Sequence, residues 1–209
     1  DTACFEDATK PLRIPSFEER KMMWKSYRNH FEAKIMKLQT EKELSELDSY
    51  RAEISKICAE FDGGSSGVFR LVVPCGAGKT LSALRYALQT AEHYNKKHIF
   101  YIAPFNSILE QNAGEIAEYI GDVNAVLKHH SNIVLDSDNG EDEKKYKLLI
   151  ESWAQSPVIA TSAVQFLDTL FAGKTSNVRR MQALGDSVII IDEIQALPIK
   201  VLKLFNAAM

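Results

Sequence analysis

Apolar side chains recur at steps of three and four over residues 16–61, a spacing that places them on one face of a helix. The first of two such stripes comprises Trp24, Tyr27, Phe31, Ile35 and Leu38, and the second comprises Leu44, Leu47, Ile54, Ile57 and Phe61. Ser16 with Glu19, and Thr40 with Glu43, have the spacing of a capping box, which marks the start of a helix. The pattern therefore predicts two helices that pack their stripes against a larger domain.

The pattern changes after the flexible segment GGSSG at 63–67. Short apolar stretches rich in β-branched residues, which are typical of buried strands, now alternate with helical periods of ten or more residues. The predicted strands are 68–73, 98–103, 123–127, 158–161 and 188–191, and the predicted helices lie near 79–95, 107–120 and 162–172. This alternation predicts an α/β fold, in which a parallel sheet is flanked by helices on both faces and preceded by a helical amino-terminal segment.

Composition narrows the class of protein. Of the 209 residues, 45% are hydrophobic and 25% are charged, which is ordinary for a globular domain. No apolar run approaches the ~20 residues of a membrane span, so we expect a soluble protein with no membrane partner. The 3 cysteines are widely spaced, which favours a reducing, cytoplasmic location. A formal net charge of -3 argues against nucleic-acid binding by overall electrostatics, so any strand must be bound locally.

The segment PCGAGKT at 74–80 has the chemistry of a phosphate-binding loop, and it stands between a predicted strand and a predicted helix. Two glycines let backbone amides approach phosphate oxygens, Lys79 supplies charge for the β- and γ-phosphates, and Thr80 supplies a hydroxyl for Mg²⁺. We therefore predict that the loop binds ATP with Mg²⁺. The predicted cofactor-binding residues are Pro74, Cys75, Gly76, Ala77, Gly78, Lys79, Thr80 and Leu81.

An acidic pair supplies the second half of this site. The apolar run at 188–191 carries Asp192 and Glu193 to the carboxyl end of a predicted strand, where open α/β sheets bind ligands. Asp192 is predicted to hold Mg²⁺ together with Thr80. Glu193 is predicted to orient and deprotonate the water that attacks the γ-phosphate. The predicted catalytic machinery is thus Lys79, Asp192 and Glu193.

These segments resemble the superfamily-two helicases. The general phosphate-loop pattern places a glycine where this chain has Val73, but the loop of that superfamily has the form P-x-G-x-G-K-T and lacks this glycine. IAPFNSILEQNA at 102–113 is similar to their motif Ia, and IATSAVQFLDTLF at 159–171 to their strand-contacting T-T-x-x-Q segment, with Ser162 replacing the second threonine. The segments SYRAEISKICAEF, LKHHSN and SNVRRMQALGDSVIIIDEIQALP extend the resemblance to one subgroup, the CRISPR-associated helicase-nucleases of type I interference systems.

The resemblance implies a RecA-like fold and assigns further roles to individual residues. It implies that Gln195, which we add to the predicted catalytic residues, couples the nucleotide site to a second lobe. Arg51 is predicted to frame the nucleotide from the upstream helix. The side chains that it places against single-stranded DNA are Pro104, Asn106, Ser107, Thr161, Ser162 and Gln165. For Ser107, a capping box with Glu110 is an equal and compatible interpretation.

Domain organisation and partners also follow from the resemblance. DTACFED at 1–7 is similar to the tail of an HD nuclease domain, but no His-Asp dipeptide is present. We therefore expect residues 1–62 to be a helical linker after an absent nuclease domain, and residues 63–209 to be the first RecA-like lobe without the second. The implied partners are those two absent domains, single-stranded DNA and a CRISPR RNA-guided surveillance complex.

The hypothesis is the ATP-binding lobe of an ATP-dependent, single-strand-translocating DNA helicase in CRISPR antiviral interference. Two alternatives remain at this point: a P-loop phosphotransferase, which uses the same loop with a separate lid, and a module that binds ATP or a strand without turnover. The adjacent His129 and His130 are too few to chelate a metal ion, so we expect them to lie at the surface or to face the strand.

Overall fold

The computed structural model describes residues 15–40, 45–130, 150, 153–173, 175–196 and 203. The helices are α1 (Phe17–Thr40), α2 (Glu46–Glu60), α3 (Lys79–Tyr94), α4 (Asn106–Ile120), α5 (Ala163–Phe171) and α6 (Thr175–Leu184). The strands are β1 (Ile99–Ala103), β2 (Val126–His129), β3 (Val158–Ser162) and β4 (Val188–Ile191), and short 3₁₀ turns cover Val123–Ala125 and Ile194–Ala196. No helix within these ranges is both long and apolar enough to cross a membrane.

The four strands form one parallel sheet in the order β2-β3-β1-β4. The register places Ile99 opposite both Val158 and Val188, so β1 is central and the carboxyl ends of its two neighbours align with its own. This alignment brings the segments after β1, β3 and β4 to one edge of the sheet. The predicted RecA-like α/β fold is confirmed, and this edge is where the predicted site residues gather.

The sheet has an apolar layer on each face because successive strand side chains alternate. Ile99, Tyr101 and Ala103 point into the larger cluster, formed with α1, α3 and α4. Phe100 and Ile102 point to the opposite face, where they meet smaller clusters that include Trp153, Phe166 and Ala183. The prediction of helices on both faces is therefore correct, although the sequence pattern had not predicted α6.

Helix α1 packs directly on the main core. Trp24 and Phe31 are fully buried, and the Trp24 indole donates a hydrogen bond of 2.7 Å to the Lys96 carbonyl oxygen. A charged contact joins α1 to α3, where the Arg85 guanidinium donates to Glu32 Oε1 at 2.7 Å. The same guanidinium donates to Ser55 of α2 at 3.2 Å. The amino-terminal helices are thereby fixed to the helix that carries the phosphate loop.

The stripes of α1 and α2 are less buried than predicted. Tyr27 and Ile35 pack on the core, but Leu38 at the end of α1 is exposed. Most of the second stripe is exposed as well, namely Leu47, Ile57 and Phe61, whereas Leu44 lies outside the described residues. The expectation that both whole stripes pack against the main domain is therefore wrong for α2, although the Phe61 ring just after it lies 5.9 Å from the Tyr86 ring of α3.

The capping predictions have different outcomes. The Ser16 box is confirmed, since Ser16 N donates to Glu19 Oε2 at 2.9 Å and Glu19 N donates to Ser16 Oγ at 3.3 Å. The Thr40 box is wrong, because Thr40 ends α1 and donates its hydroxyl back to the Met36 carbonyl oxygen. The second helix begins after Ser45, whose hydroxyl accepts from Asp48 N at 3.2 Å. Glu43 and the DTACFED segment lie outside the described residues.

The predicted strand at 68–73 is not a strand. These residues are extended coil, and Val68 and Val72 are 75% and 72% exposed. A strand forms only when its amide and carbonyl groups pair with a neighbour. None of the four described strands pairs with this segment, and β4 pairs on one side alone, with β1. The predicted strand at 123–127 is also displaced, because a 3₁₀ turn occupies Val123–Ala125 and β2 begins at Val126.

Candidate nucleotide site and strand-binding rim

The phosphate loop is a tight turn between the extended segment and α3. Ala77 N donates to the Pro74 carbonyl oxygen at 3.2 Å, which closes the turn. Gly76 and Gly78 have φ angles of 79° and 76°, in the left-handed region that favours glycine. A Cβ at Gly76 would meet nothing within 4 Å, so the space beside this residue is open. Lys79 and Thr80 then form the first turn of α3, where free amides and the helix dipole favour an anion.

Lys79 lies opposite Glu193 across the site. The Lys79 ammonium and the Glu193 Oε1 atom are 2.7 Å apart, and each side chain is about one third exposed. The hydrogen bond with Glu193 raises the pKa of Lys79 above its ordinary value, so the lysine is charged at neutral pH. Glu193 has a φ of 47°, which is unusual for a residue with a side chain, and its other oxygen accepts from the Gln195 amide. The sequence-predicted residues Lys79, Glu193 and Gln195 are thus in one connected group.

Asp192 is held by a tyrosine that sequence analysis did not identify. The Tyr101 hydroxyl donates to Asp192 Oδ2 at 2.5 Å and accepts from the Asn112 amide. Burial, followed by the hydrogen bond to Asp192, raises the pKa of Tyr101 far above its ordinary value, so the phenol keeps its proton. A hydrogen bond with the Thr80 side chain has the opposite, smaller effect and lowers the pKa of the same phenol. Thr80 and Asp192, the two predicted Mg²⁺ ligands, therefore meet at Tyr101.

Arg51 reaches the phosphate loop from α2. Its Nε donates to the Gly76 carbonyl oxygen at 2.8 Å, and its Nη1 forms an ion pair with Asp48 at 3.0 Å. The Arg51 Cγ would lie 3.8 Å from a Cβ at Gly78. The side chain therefore lies along the loop on the side of α2. The remaining predicted cofactor-binding residues, Pro74, Cys75, Ala77 and Leu81, belong to the turn itself or to the start of α3.

The predicted strand contacts fall into two groups at the carboxyl edge of the sheet. Pro104, Asn106 and Ser107 follow β1, and Asn106 and Ser107 form the start of α4. Thr161, Ser162 and Gln165 belong to the end of β3 and the start of α5. A small pocket between the groups is lined by residues that include Pro104, Ala163 and Asp192. The structure thus brings both groups beside the Asp192 end of the nucleotide site.

The hydroxyl groups of the second group are already engaged within the protein. Thr161 is fully buried, and its Oγ1 donates to the His129 carbonyl oxygen at 3.0 Å. Ser162 is the N-cap of α5 and accepts from Gln165 N at 3.3 Å. Gln165 is partly exposed. These placements correspond to packing and helix capping, and Gln165 has the most accessible side chain of the three.

The Ser107 capping box does not form. The residue before α4 is Phe105, which makes no side-chain cap, and Ser107 is exposed in the first turn. Glu110 points elsewhere, since its Oε2 lies 2.7 Å from the Lys128 ammonium and its Oε1 contacts His130. The capping interpretation of Ser107 is therefore wrong, because α4 begins before Ser107 and Glu110 pairs with Lys128 and His130 instead.

Both histidines of the HH pair are buried. Of the two positions expected for them, at the surface or facing the strand, the surface position is therefore wrong. His129 packs edge-on against Trp153, with ring centroids 5.6 Å apart. Burial, and then the neighbouring Arg180 and His130 charges, lower the pKa of His129 to about 3, so it is neutral at physiological pH. Within the described part of the chain, no three His, Cys, Asp or Glu side chains could hold a metal ion.

Three comparisons with known proteins agree with this geometry. The family described as "Type III restriction enzyme, res subunit" matches residues 27–200. The CRISPR-associated nuclease/helicase Cas3 of Haloferax volcanii is 28% identical over 157 residues, which cover 66% of this chain and 17% of that protein. The solved structure of T. fusca Cas3-ADP superposes with a TM-score of 0.58 at 17% identity, covering 90% of this chain and 20% of that one.

The chain therefore spans about one fifth or less of the length of these two relatives. The predicted resemblance to the CRISPR-associated helicase-nucleases is confirmed by the first relative, and the second supports the RecA-like fold. The family match covers well over half of the chain and includes the loop at 74–80 and the pair Asp192 and Glu193. On this match, the chain belongs to the family of the type III restriction enzyme res subunit.

Proposed function

We propose that this chain is the ATP-binding lobe of an ATP-dependent, single-strand-translocating DNA helicase that acts in CRISPR interference. The observation that carries the proposal is the position of Lys79, at the start of α3, 2.7 Å from Glu193 at the end of β4. A phosphate loop and an acidic pair that face each other across one edge of a parallel sheet are the two halves of a nucleotide-hydrolysing site. The similarity to a nuclease/helicase supports the strand-dependent form of this chemistry.

Nucleotide binding requires an exchange of ion partners. Lys79 is paired with Glu193 in this structure, and the β- and γ-phosphates of ATP are stronger competitors for the ammonium than one carboxylate. When Lys79 turns to the phosphates, Glu193 loses its cation and becomes free to accept a proton from water. Binding of ATP thus prepares the base as well as the substrate, with Gln195 holding the second Glu193 oxygen.

The residues present fit a Mg²⁺ ion. Mg²⁺ in phosphate sites is held by one or two carboxylate or hydroxyl groups together with phosphate oxygens and water, so a dedicated cluster of protein ligands is not needed. Thr80 and Asp192 provide one hydroxyl and one carboxylate, and they meet at the Tyr101 hydroxyl. Bound Mg²⁺ would neutralise the charge that develops on the phosphates during transfer.

The strand is expected to lie along the rim next to this site. Side chains after β1 and β3 can bond phosphate oxygens without reading bases. The direct contacts that we propose are Pro104, Asn106, Ser107 and Gln165. The hydroxyls of Thr161 and Ser162 are bonded to His129 and Gln165, so these two residues would support the rim without contacting the strand. Closure of a second lobe over ATP would change the grip on the strand, which is the basis of translocation.

We further propose the domain order that the resemblance in the sequence implies. Residues 1–62 would be the helical linker after an HD nuclease domain, and residues 63–209 the first RecA-like lobe, followed by a second. Arg51 would link the two regions, because it belongs to the linker and contacts the Gly76 carbonyl of the loop. The protein would act with a CRISPR RNA-guided surveillance complex, which would supply the single-stranded DNA.

Single-stranded DNA is expected to stimulate ATP hydrolysis by the full-length protein, and rising salt should weaken the stimulation, because phosphate contacts release counterions. Gln165→Ala should raise the DNA concentration that gives half-maximal stimulation. Gln39→Ala, an exposed position near the end of α1, is the matched control and should not. If DNA does not change the rate of ATP turnover, and the phosphate is transferred to an acceptor other than water, the protein is instead a phosphotransferase.

A further inference from the structure

Tyr101 occupies a place where a phenylalanine would satisfy packing. It is 1% exposed and lies in the central strand β1, within the cluster formed by α1, α3 and α4. A buried hydroxyl costs free energy unless it is hydrogen-bonded, so a tyrosine there needs partners. Tyr101 has them, because it donates to Asp192 Oδ2 at 2.5 Å and accepts from the buried Asn112 amide.

This contact determines how the Asp192 carboxylate is presented. The backbone amide of Asp192 donates to the Ile102 carbonyl at 2.9 Å, which fixes the main chain at the end of β4. The Tyr101 hydroxyl engages Oδ2 and so restricts rotation of the carboxyl group, leaving Oδ1 available to a ligand. Asn112, on α4, donates to the phenol oxygen and so orients the phenol proton toward Asp192.

We propose that Tyr101, oriented by Asn112, is a positioning residue that holds the Asp192 carboxylate ready for the divalent cation of bound nucleotide. The inference rests on the proposed function, since it gives Asp192 the role of cation ligand. Carboxylates that bind metals are themselves oriented by hydrogen-bonding partners, and loss of such a partner typically costs ~10- to 100-fold in metal affinity. Tyr101 would have this role for a ligand that approaches between Thr80 and Asp192.

Tyr101→Phe provides the test, because it removes the hydroxyl and keeps the ring that packs in the core. The affinity of the full-length protein for ATP is measured by titration calorimetry over a series of Mg²⁺ concentrations and also in excess chelator. We expect the Mg²⁺ concentration that gives half of the full gain in ATP affinity to rise ~10-fold or more. The affinity in chelator should stay within about twofold, because the phosphate loop is intact.

Tyr27→Phe is the matched control. The Tyr27 hydroxyl likewise donates to an aspartate, Asp122, at 3.0 Å, but this pair joins α1 to the turn after α4, away from the phosphate loop. It should leave the Mg²⁺ dependence at the wild-type value. Asn112→Ala is the second test variant and should shift the dependence in the same direction as Tyr101→Phe, by a smaller factor, even if the phenylalanine variant unfolds.

The outcomes separate the inference from the function on which it rests. If the wild-type protein binds ATP in a Mg²⁺-dependent way and neither Tyr101→Phe nor Asn112→Ala changes that dependence, the positioning role is refuted while the nucleotide site stands. If the wild-type protein binds no ATP, both are refuted. An equal shift in Tyr27→Phe would show a general effect on stability and would also overturn the inference.

Discussion

Glu193→Gln is expected to lower the rate of ATP hydrolysis by the full-length protein in single-stranded DNA by ~10²-fold or more, the scale of a lost general base. The amide keeps the size of the side chain and its place opposite Lys79, but it cannot accept the proton of the attacking water. ATP affinity should be equal to that of the wild type or somewhat higher, since Lys79 no longer has to leave a carboxylate before it meets the phosphates. Rates of phosphate release at saturating ATP measure the first effect, and calorimetry measures the second.

Glu118 provides a matched control for Glu193→Gln. Glu118 forms an ion pair with Lys34, as Glu193 does with Lys79, but this pair lies between α1 and α4. Glu118→Gln should therefore leave the rate unchanged. Hydrolysis by Glu193→Gln at the wild-type rate would place the general base on another residue and remove the catalytic role assigned here.

Residues 1–209 alone are expected to bind ATP with Mg²⁺ but to show no hydrolysis that DNA stimulates and no unwinding. The described residues place Lys79, Asp192 and Glu193 on this lobe, whereas charge on the transferring phosphate is commonly met by an arginine that approaches from a facing lobe. Such an arginine is worth ~10³- to 10⁵-fold in rate. Adding the proposed second lobe should restore a strand-dependent rate by a factor of this order.

The comparison needs both chains purified in parallel, each with its Glu193→Gln variant to reveal contaminating ATPases. A rate from residues 1–209 that DNA stimulates strongly, and that Glu193→Gln abolishes, would contradict the two-lobe account. It would show a lobe that is catalytically self-sufficient. The affinity of residues 1–209 for a strand should also be weak, because a formal net charge of -3 provides little general attraction.

The sequence correctly predicted those elements in which the residues prefer one type of secondary structure and the ends are marked by recognisable residues. The strand at 188–191 and the helix that begins at Lys79 were placed correctly, because a β-branched run and a glycine-rich turn define them locally. The segment 68–73 has the same composition as a buried strand, but its state depends on a pairing partner. The hydrophobic pattern of a segment indicates its preference for a strand or a helix. It does not indicate whether a neighbouring strand is present to pair with the segment's backbone groups.

Only those residues of the candidate site that belong to a sequence motif could be predicted. Lys79, Asp192 and Glu193 could be proposed because the spacing of a phosphate loop and an acidic pair is recognisable along the chain. Tyr101 was missed because an aromatic residue in an apolar strand is indistinguishable from ordinary core. Its role depends on the register that pairs it with Ile190, two residues before Asp192, and register is a property of the folded sheet.

The two histidines illustrate the same limit. His129 and His130 follow one another at the end of β2, and two adjacent histidines are too few to chelate a metal ion, which led to the expectation of a surface or strand-facing position. In the structure both are buried, His129 against Trp153 and His130 beside Glu110 of α4. These partners are 24 and 20 residues away along the chain, so no local pattern could have predicted burial.

The central claim is that Lys79 meets the phosphates of ATP, and calorimetric titration of Mg²⁺·ATP into wild-type protein and Lys79→Ala tests it most directly. We predict that Lys79→Ala binds ATP about 10- to 100-fold more weakly than the wild type, which is the effect of a lost charged hydrogen bond. The affinity for AMP, which has no β- or γ-phosphate, should be nearly the same in both proteins. Lys34→Ala, which removes a lysine paired with Glu118 outside the site, should bind ATP as the wild type does. Equal ATP affinities for the wild type and Lys79→Ala would contradict the account.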